Sequence, residues 1–272
     1  MKKLNHLSEI FTFYDAFIVD LWGVVHNGIK LNSGAIEVLE NLSKNNKKIT
    51  LLSNAPRPNK VTINFLRGLN MDEKYLDCVL TSGEAALKSL KNNKFGKKFF
   101  HLGTERDESL FYGLEKNKTD LEKSDFILCS GLFDEHDDLK YYEDLLKKHT
   151  SKKLICTNPD LIVHRGSEEY LCAGAIAEVF KNLGGEVIYF GKPHKEVYDL
   201  CLEKNKKTLI IGDNLNTDIK GANNLNLDSL FITSGVHRLE CKEENKLKDV
   251  FKKYQVKVKY YQKNLSWWND YI

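Results

Sequence analysis

Short apolar runs that end on a polar residue recur along the chain. Phe17-Ile18-Val19 ends at Asp20, and Ile49-Thr50-Leu51-Leu52 ends at Ser53 and Asn54. Val187-Ile188-Tyr189-Phe190 leads into Gly191-Lys192-Pro193, and Thr208-Leu209-Ile210-Ile211 leads into Gly212-Asp213-Asn214-Leu215-Asn216-Thr217-Asp218. Unbroken apolar runs of this length fit parallel strands buried on both faces. Helical periodicity lies between them. Ser33 is expected to cap a helix whose apolar face is Ala35, Ile36, Leu39 and Leu42. Pro58 fits the start of a second helix with Val61, Phe65 and Leu69 on one side. Cys78-Val79-Leu80 reads as another strand, with Ser82 capping a helix over 84–90.

From about residue 97 the pattern restarts. Residues 98–102, 125–129 and 153–156 read as strands, with helices near 105–112, 137–148 and 172–183. The Lys192 and Asp213 stretches come later, so this second α/β unit is an insertion rather than an appended domain. The expected division is 1–82 plus 187–272 for the core and 83–186 for the inserted domain. The core then continues with a helix over 196–204, the strand before Asp213, a helix over 217–224 and a strand over 229–232. Residues 240–253 suit a charged surface helix, and Leu265-Ser266-Trp267-Trp268 is apolar enough to dock on the core or a partner.

Composition narrows the partners. The 272 residues are 42% hydrophobic with a net charge of +3, and only five of the 41 basic residues are Arg. The lysines are spread among acids, which describes a solvated surface and not a nucleic-acid footprint. The six cysteines form no C-x-x-C pair, and several sit in apolar runs. A reduced, cytoplasmic protein is expected. Leu4-Asn5-His6-Leu7-Ser8-Glu9 is too polar for a signal-peptide core, and no apolar run approaches membrane-spanning length.

In open α/β sheets, ligands bind beyond the carboxyl ends of the strands. Asp20 is expected at that edge, where a carboxylate serves as metal ligand, nucleophile or turn residue. The ordered series Asp20, Ser53, Lys192, Asp213 resembles the four motifs of the haloacid dehalogenase superfamily. Gly212-Asp213-Asn214-x-x-Thr217-Asp218 and Gly191-Lys192-Pro193 resemble its class IIA, NagD-like branch, over about residues 15–235. The resemblance implies a Rossmann-like parallel-sheet α/β core with an inserted α/β cap of the C2 type. It also implies a phosphatase that uses Mg²⁺ and acts on a small phosphorylated substrate. Asp20 would be the nucleophile, forming an aspartyl-phosphate. Asp20, Asp213 and the backbone carbonyl of Trp22 would ligate Mg²⁺, with Asp218 completing the metal site. Lys192 would act on the phosphoryl charge, and Ser53 and Asn54 would hold phosphate oxygens. Thr157-Asn158-Pro159-Asp160 resembles a landmark of the cap, so Asn158 and Asp160 are either substrate-side residues or a plain turn. An exposed cap face would offer a homodimer surface.

The chain departs from the family at one position. The residue two after the nucleophile is usually Asp, the general acid/base, and here it is Trp22. A positioned acid/base contributes about 10²–10⁴-fold in rate. Asn214 stands where many relatives carry a second acid, and His26 and His194 are candidates to replace the lost acid. Two rival readings follow: a catalytically weak protein that binds a phosphorylated metabolite, and a metal-independent dehalogenase with an aromatic residue at position 22. Asp134-Glu135-His136-Asp137-Asp138 has metal-ligand composition but also suits a helix start. Walker A, G-x-G-x-x-G and H-E-x-x-H motifs are absent.

Overall fold

The computed structural model describes residues 1–165 and 168–268. In chain order its strands are β1 (Lys2–Lys3), β2 (Ala16–Asp20), β3 (Lys48–Ser53), β4 (Val79–Thr81), β5 (Phe99–Leu102), β6 (Phe126–Cys129) and β7 (Lys153–Cys156). They continue with β8 (Ile162–Arg165), β9 (Glu168–Leu171), β10 (Glu186–Tyr189), β11 (Thr208–Gly212), β12 (Asp228–Ile232) and β13 (Tyr260–Gln262). The α-helices are α1 (Ser33–Lys44), α2 (Asn59–Gly68), α3 (Ser82–Lys91), α4 (Leu139–Leu146), α5 (Ala173–Asn182), α6 (Lys195–Tyr198), α7 (Lys220–Asn224) and α8 (Leu247–Lys253). No described helix is long and apolar enough to cross a membrane.

Seven strands form a parallel sheet in the order β1-β13-β12-β11-β2-β3-β4, and four more form a second parallel sheet in the order β10-β7-β6-β5. The apolar runs are unbroken because both faces of each sheet are covered. In the larger sheet, Phe17, Val19, Leu51, Leu209 and Ile211 pack into one cluster, while Ile18, Leu52 and Ile210 pack on the opposite face. The smaller sheet repeats this, with Ile127, Cys129 and Leu154 on one face and Phe126, Leu128 and Ile155 on the other. Strands β8 and β9 pair as a separate antiparallel hairpin.

Several local expectations are corrected. The run 187–190 was assigned to the core, but Val187, Ile188 and Tyr189 of β10 pair with Leu154, Ile155 and Cys156 in the smaller sheet. Ser33 opens α1 as its first residue; the cap is Asn32, whose side chain donates to the Val24 carbonyl (2.7 Å). Thr81, not Ser82, caps α3, its side chain accepting from the Glu84 N–H (3.1 Å). Helix α2 buries Thr62 and Leu66 and leaves Phe65 exposed. The helix expected over 196–204 is the single turn α6. At the far end, Leu265 and Trp267 dock on the core.

Freed from capping, Ser82 joins the two sheets. Its buried hydroxyl is within hydrogen-bond reach of the Ala55 carbonyl after β3 (3.0 Å) and the Thr157 carbonyl after β7 (2.5 Å). Ser82→Ala removes that donor from both carbonyls. Chemical denaturation should show a loss of about 1–3 kcal/mol. A change under about 0.5 kcal/mol would mean that the contact contributes nothing measurable.

Candidate active site

Strands β11, β2 and β3 are parallel neighbours, with Ile211 opposite Val19 and Asp20 opposite Leu52. Parallel pairing therefore brings Asp20, Ser53 and Asp213 to one edge of the sheet, at its carboxyl end. Asp218 follows on a π-helical turn, Leu215–Ile219, before α7. Among the described residues, Asp20, Asp213 and Asp218 form a buried cluster whose oxygens lie within 4.8 Å of one another.

Lys192 enters this cluster from the other sheet. Its ammonium donates to Oδ1 of Asp20, to Oδ1 of Asp218 (2.7 Å) and to the Leu52 carbonyl (3.1 Å). All three ammonium protons are used. Asn54 fixes the lysine backbone from the larger sheet: its Oδ1 accepts from the Lys192 N–H (2.8 Å), and its amide donates to the Lys192 carbonyl (3.1 Å). Burial works against the lysine charge, but Asp20 and Asp218 outweigh it and hold the ammonium pKa well above its ordinary value. Burial, aided by Asp218 and Asp213, pushes the Asp20 carboxyl well up despite Lys192. Burial and Asp218 push Asp213 to about 7.

Asp213 is held by backbone. Its Oδ2 accepts from the Val236 N–H (2.7 Å), in the loop after β12. A Cβ at Gly23 or Gly235 would stand 2.1 or 1.9 Å from that same oxygen, so both positions must lack a side chain. Gly23 also has φ +89, a region favouring glycine. Asp218 accepts from the Asn214 N–H (3.2 Å), and Asn214 caps the turn by accepting from the Asn216 N–H (2.9 Å). The Ser53 hydroxyl accepts from the Ala55 N–H (3.1 Å).

These residues line one open cleft of about 1990 Å³, which also includes Trp22, Asn158 and Asp160. Asn158 accepts from the Asp160 N–H (3.1 Å), the geometry of a tight turn. Asp160 itself accepts from the Asn214 side chain (3.3 Å), which brings the inserted unit against the Asp213 loop. Burial raises the Asp160 carboxyl to about 6. The half-buried Trp22 ring lies edge-on to His26 and nearly parallel to Phe65.

The two histidines differ in placement. His26 lines the cleft, but its Nδ1 accepts from the Gly28 N–H (3.0 Å), and burial lowers its pKa to about 4. His194 stacks flat on Tyr189 (4.6 Å, 4°) and is not among the cleft-lining residues. Among the described residues the acidic stretch 134–138 gathers no metal-binding cluster: Asp134 pairs with Arg106 (3.1 Å), and Asp138 caps α4. Sequence reasoning missed Gly235, Val236 and the cleft-facing role of Phe65. The first two lie in a loop without periodic signal, and Phe65 looked like part of a core stripe.

Two family models match the chain: a haloacid dehalogenase-like hydrolase over residues 17–115 and a HAD-hydrolase-like model over 189–255. The chain belongs to the haloacid dehalogenase superfamily of hydrolases. Within it, the chain falls in the class IIA, NagD-like branch. It is 27% identical over 237 residues to the ribonucleotide monophosphatase NagD of Escherichia coli K12, covering 82% of this chain and 89% of that protein. A haloacid dehalogenase-like hydrolase from Brucella suis superposes with a TM-score of 0.83 at 29% identity, covering 96% and 99% of the two chains. The 4-nitrophenylphosphatase of Thermotoga maritima gives 0.71 at 28% identity, covering 93% and 95%.

The crowding of carboxylates has a pH signature. The fold raises Asp213 from 3.8 to about 7, so it binds this proton more tightly than the unfolded chain does. That stabilisation is present below the ordinary carboxylate value and is lost as pH rises through about 7. In chelator, the melting temperature should fall between about pH 4 and pH 7, and Asp213→Asn should flatten part of the fall, the rest belonging to groups such as Asp160. Equal slopes in parent and variant would remove Asp213 from the groups that titrate there.

Proposed function

We propose that this protein is a phosphatase that hydrolyses small phosphorylated metabolites through an aspartyl-phosphate on Asp20. The observation that carries the reading is the Lys192 ammonium bound between Asp20 and Asp218, beside Asp213, at the floor of the cleft. The names of the relatives, a ribonucleotide monophosphatase and a 4-nitrophenylphosphatase, support the reaction class.

The donor set fits Mg²⁺, which prefers oxygen ligands and few carboxylates with room for water. Here three buried carboxylates converge on an open polar cleft. Asp20, Asp213 and the Trp22 carbonyl would hold the ion, with Asp218 beside them. When bound, Mg²⁺ would screen the charge between carboxylate and phosphoryl group and polarise the phosphoryl oxygens.

Lys192 engages Oδ1 of Asp20, which leaves Oδ2 as the nucleophilic oxygen. Its bond to phosphorus forms as the bond to the leaving oxygen breaks, and the leaving oxygen departs with the electron pair. The Ser53 hydroxyl and the neighbouring N–H groups after β3 would hold phosphoryl oxygens, and Lys192 would balance their charge. Water then attacks phosphorus, returning the Asp20 carboxylate and inorganic phosphate. Asn158 and Asp160 would bear on the substrate from the inserted unit. That unit, placed at 83–186 from sequence, extends to about 190 once β10 is counted in its sheet.

Trp22 favours a second reading, tight binding with weak turnover, because no carboxyl at that position protonates the leaving oxygen. The retained Asp213 and Asp218 speak against dehalogenase chemistry, which needs no metal cluster.

Purified protein given a panel of phosphate esters should release phosphate, lose that activity in EDTA, and lose it in Asp20→Asn. Binding of the same esters without turnover would favour the second reading, and metal-independent halide release the dehalogenase one.

Without an acid at position 22, aryl and acyl phosphates should turn over faster than alkyl phosphates, with a steep dependence on leaving-group pKa. Trp22→Asp should narrow that gap by raising the alkyl rate, within the roughly 10²–10⁴-fold an acid supplies. A leaving-group dependence as shallow as in Asp-bearing relatives would mean that another residue donates the proton.

A further inference from the structure

We propose that Trp22 and Phe65 form an aromatic subsite that stacks a planar aromatic leaving group beside Asp20. The inference deepens the phosphatase reading, and rests on it for the position of the phosphate. The subsite reads the shape of the leaving group, independently of its acidity.

Phe65 carries the first part of the argument. Helix α2 buries Leu66 in the core, whereas Val61, Thr62 and Phe65 line the cleft. The Phe65 ring is 40% exposed. An apolar ring left open at the mouth of a reaction cleft is a binding surface in waiting.

Ring geometry carries the second part. The planes of Trp22 and Phe65 are 10° apart with centroids 6.5 Å apart. A flat group entering there can lie parallel to both rings. His26 meets both edge-on, at 74° to Trp22 and 66° to Phe65, with centroids at 5.0 and 5.4 Å. Edge-to-face contacts of this kind are favourable. His26 is itself buried and accepts from the Gly28 N–H, so its ring braces the other two edge-on. The aromatic surface is organised before any ligand arrives, which lowers the ordering cost of binding.

Trp22 is two residues beyond Asp20 on the loop that leaves β2, and both line the cleft, so a ring stacked on Trp22 would belong to the leaving group of the substrate. The ligand class is therefore the aryl phosphates and close heteroaromatic analogues, not phosphorylated open-chain polyols.

Calorimetric titration of the full chain in Mg²⁺ buffer tests this with two non-hydrolysable probes, phenylphosphonate and cyclohexylphosphonate. They share charge and approximate size and differ in planarity. The parent should bind the phenyl compound about 3- to 10-fold more tightly. Phe65→Ala should bring the ratio close to one, and Phe65→Tyr, which keeps the ring, should preserve it. Equal affinities in the parent, or an unchanged ratio in Phe65→Ala, would overturn the subsite. Phenyl phosphate turnover by the parent separates the two ideas. Turnover without the phenyl preference leaves the phosphatase reading and removes the subsite. The preference without turnover on any ester keeps the subsite and removes the phosphatase reading.

Discussion

The buried ammonium of Lys192 is the constraint around which the site is arranged. Taking such a charge out of water costs several kcal/mol unless each proton finds an acceptor. Asp20, Asp218 and the Leu52 carbonyl are those acceptors. They come from β2, from the turn after β11 and from β3, so satisfying one side chain requires three segments to be in register. The same arrangement concentrates negative charge. With Asp213 added, three carboxylates lie in one cluster beside one lysine, and burial, reinforced by the neighbouring acids, raises the Asp20 and Asp213 pKa values. A divalent cation would relieve that concentration of charge.

The sheets were legible because a strand covered on both faces must be apolar at successive positions. That rule found β2 to β7 and β10 to β12. It could not say which sheet a run would join: β10 is as apolar as its neighbours, and only pairing with β7 decides its place. Two-residue β1 and three-residue β13 are too short to carry a period. Helix α2 misled for a different reason. Its spacing of four at Val61, Phe65 and Leu69 is the spacing of a buried stripe, but Val61 and Phe65 line the cleft.

The charged members of the candidate site were legible for a topological reason. Parallel neighbours end at the same sheet edge, so polar residues closing β2, β3 and β11 must meet there. Partners that act through backbone were hidden. Val236 contributes only its N–H, and Gly23 and Gly235 contribute only the absence of a side chain beside Asp213. Their side chains carry no chemistry that a sequence pattern could register. His26 and His194 show the converse. Each has the right chemistry near a motif, yet one ring is buried among aromatics and the other lies flat on Tyr189 outside the cleft lining.

Lys192 is held from two sides, and this links the smaller sheet to the acidic cluster. Tyr189, three residues earlier, is paired with Cys156 in the smaller sheet. Asn54, at the end of β3, grips both backbone groups of Lys192 from the larger sheet. Ser82 reaches carbonyls after β3 and after β7, and Asp160 accepts from Asn214 beside the acidic cluster. The Asn54–Lys192, Ser82–Thr157 and Asp160–Asn214 contacts cross between the two sheets. A change in how the inserted unit packs would therefore act on the Lys192 ammonium as directly as on any substrate in the cleft. Packing of the smaller sheet and charge balance at Asp20 are coupled through one side chain.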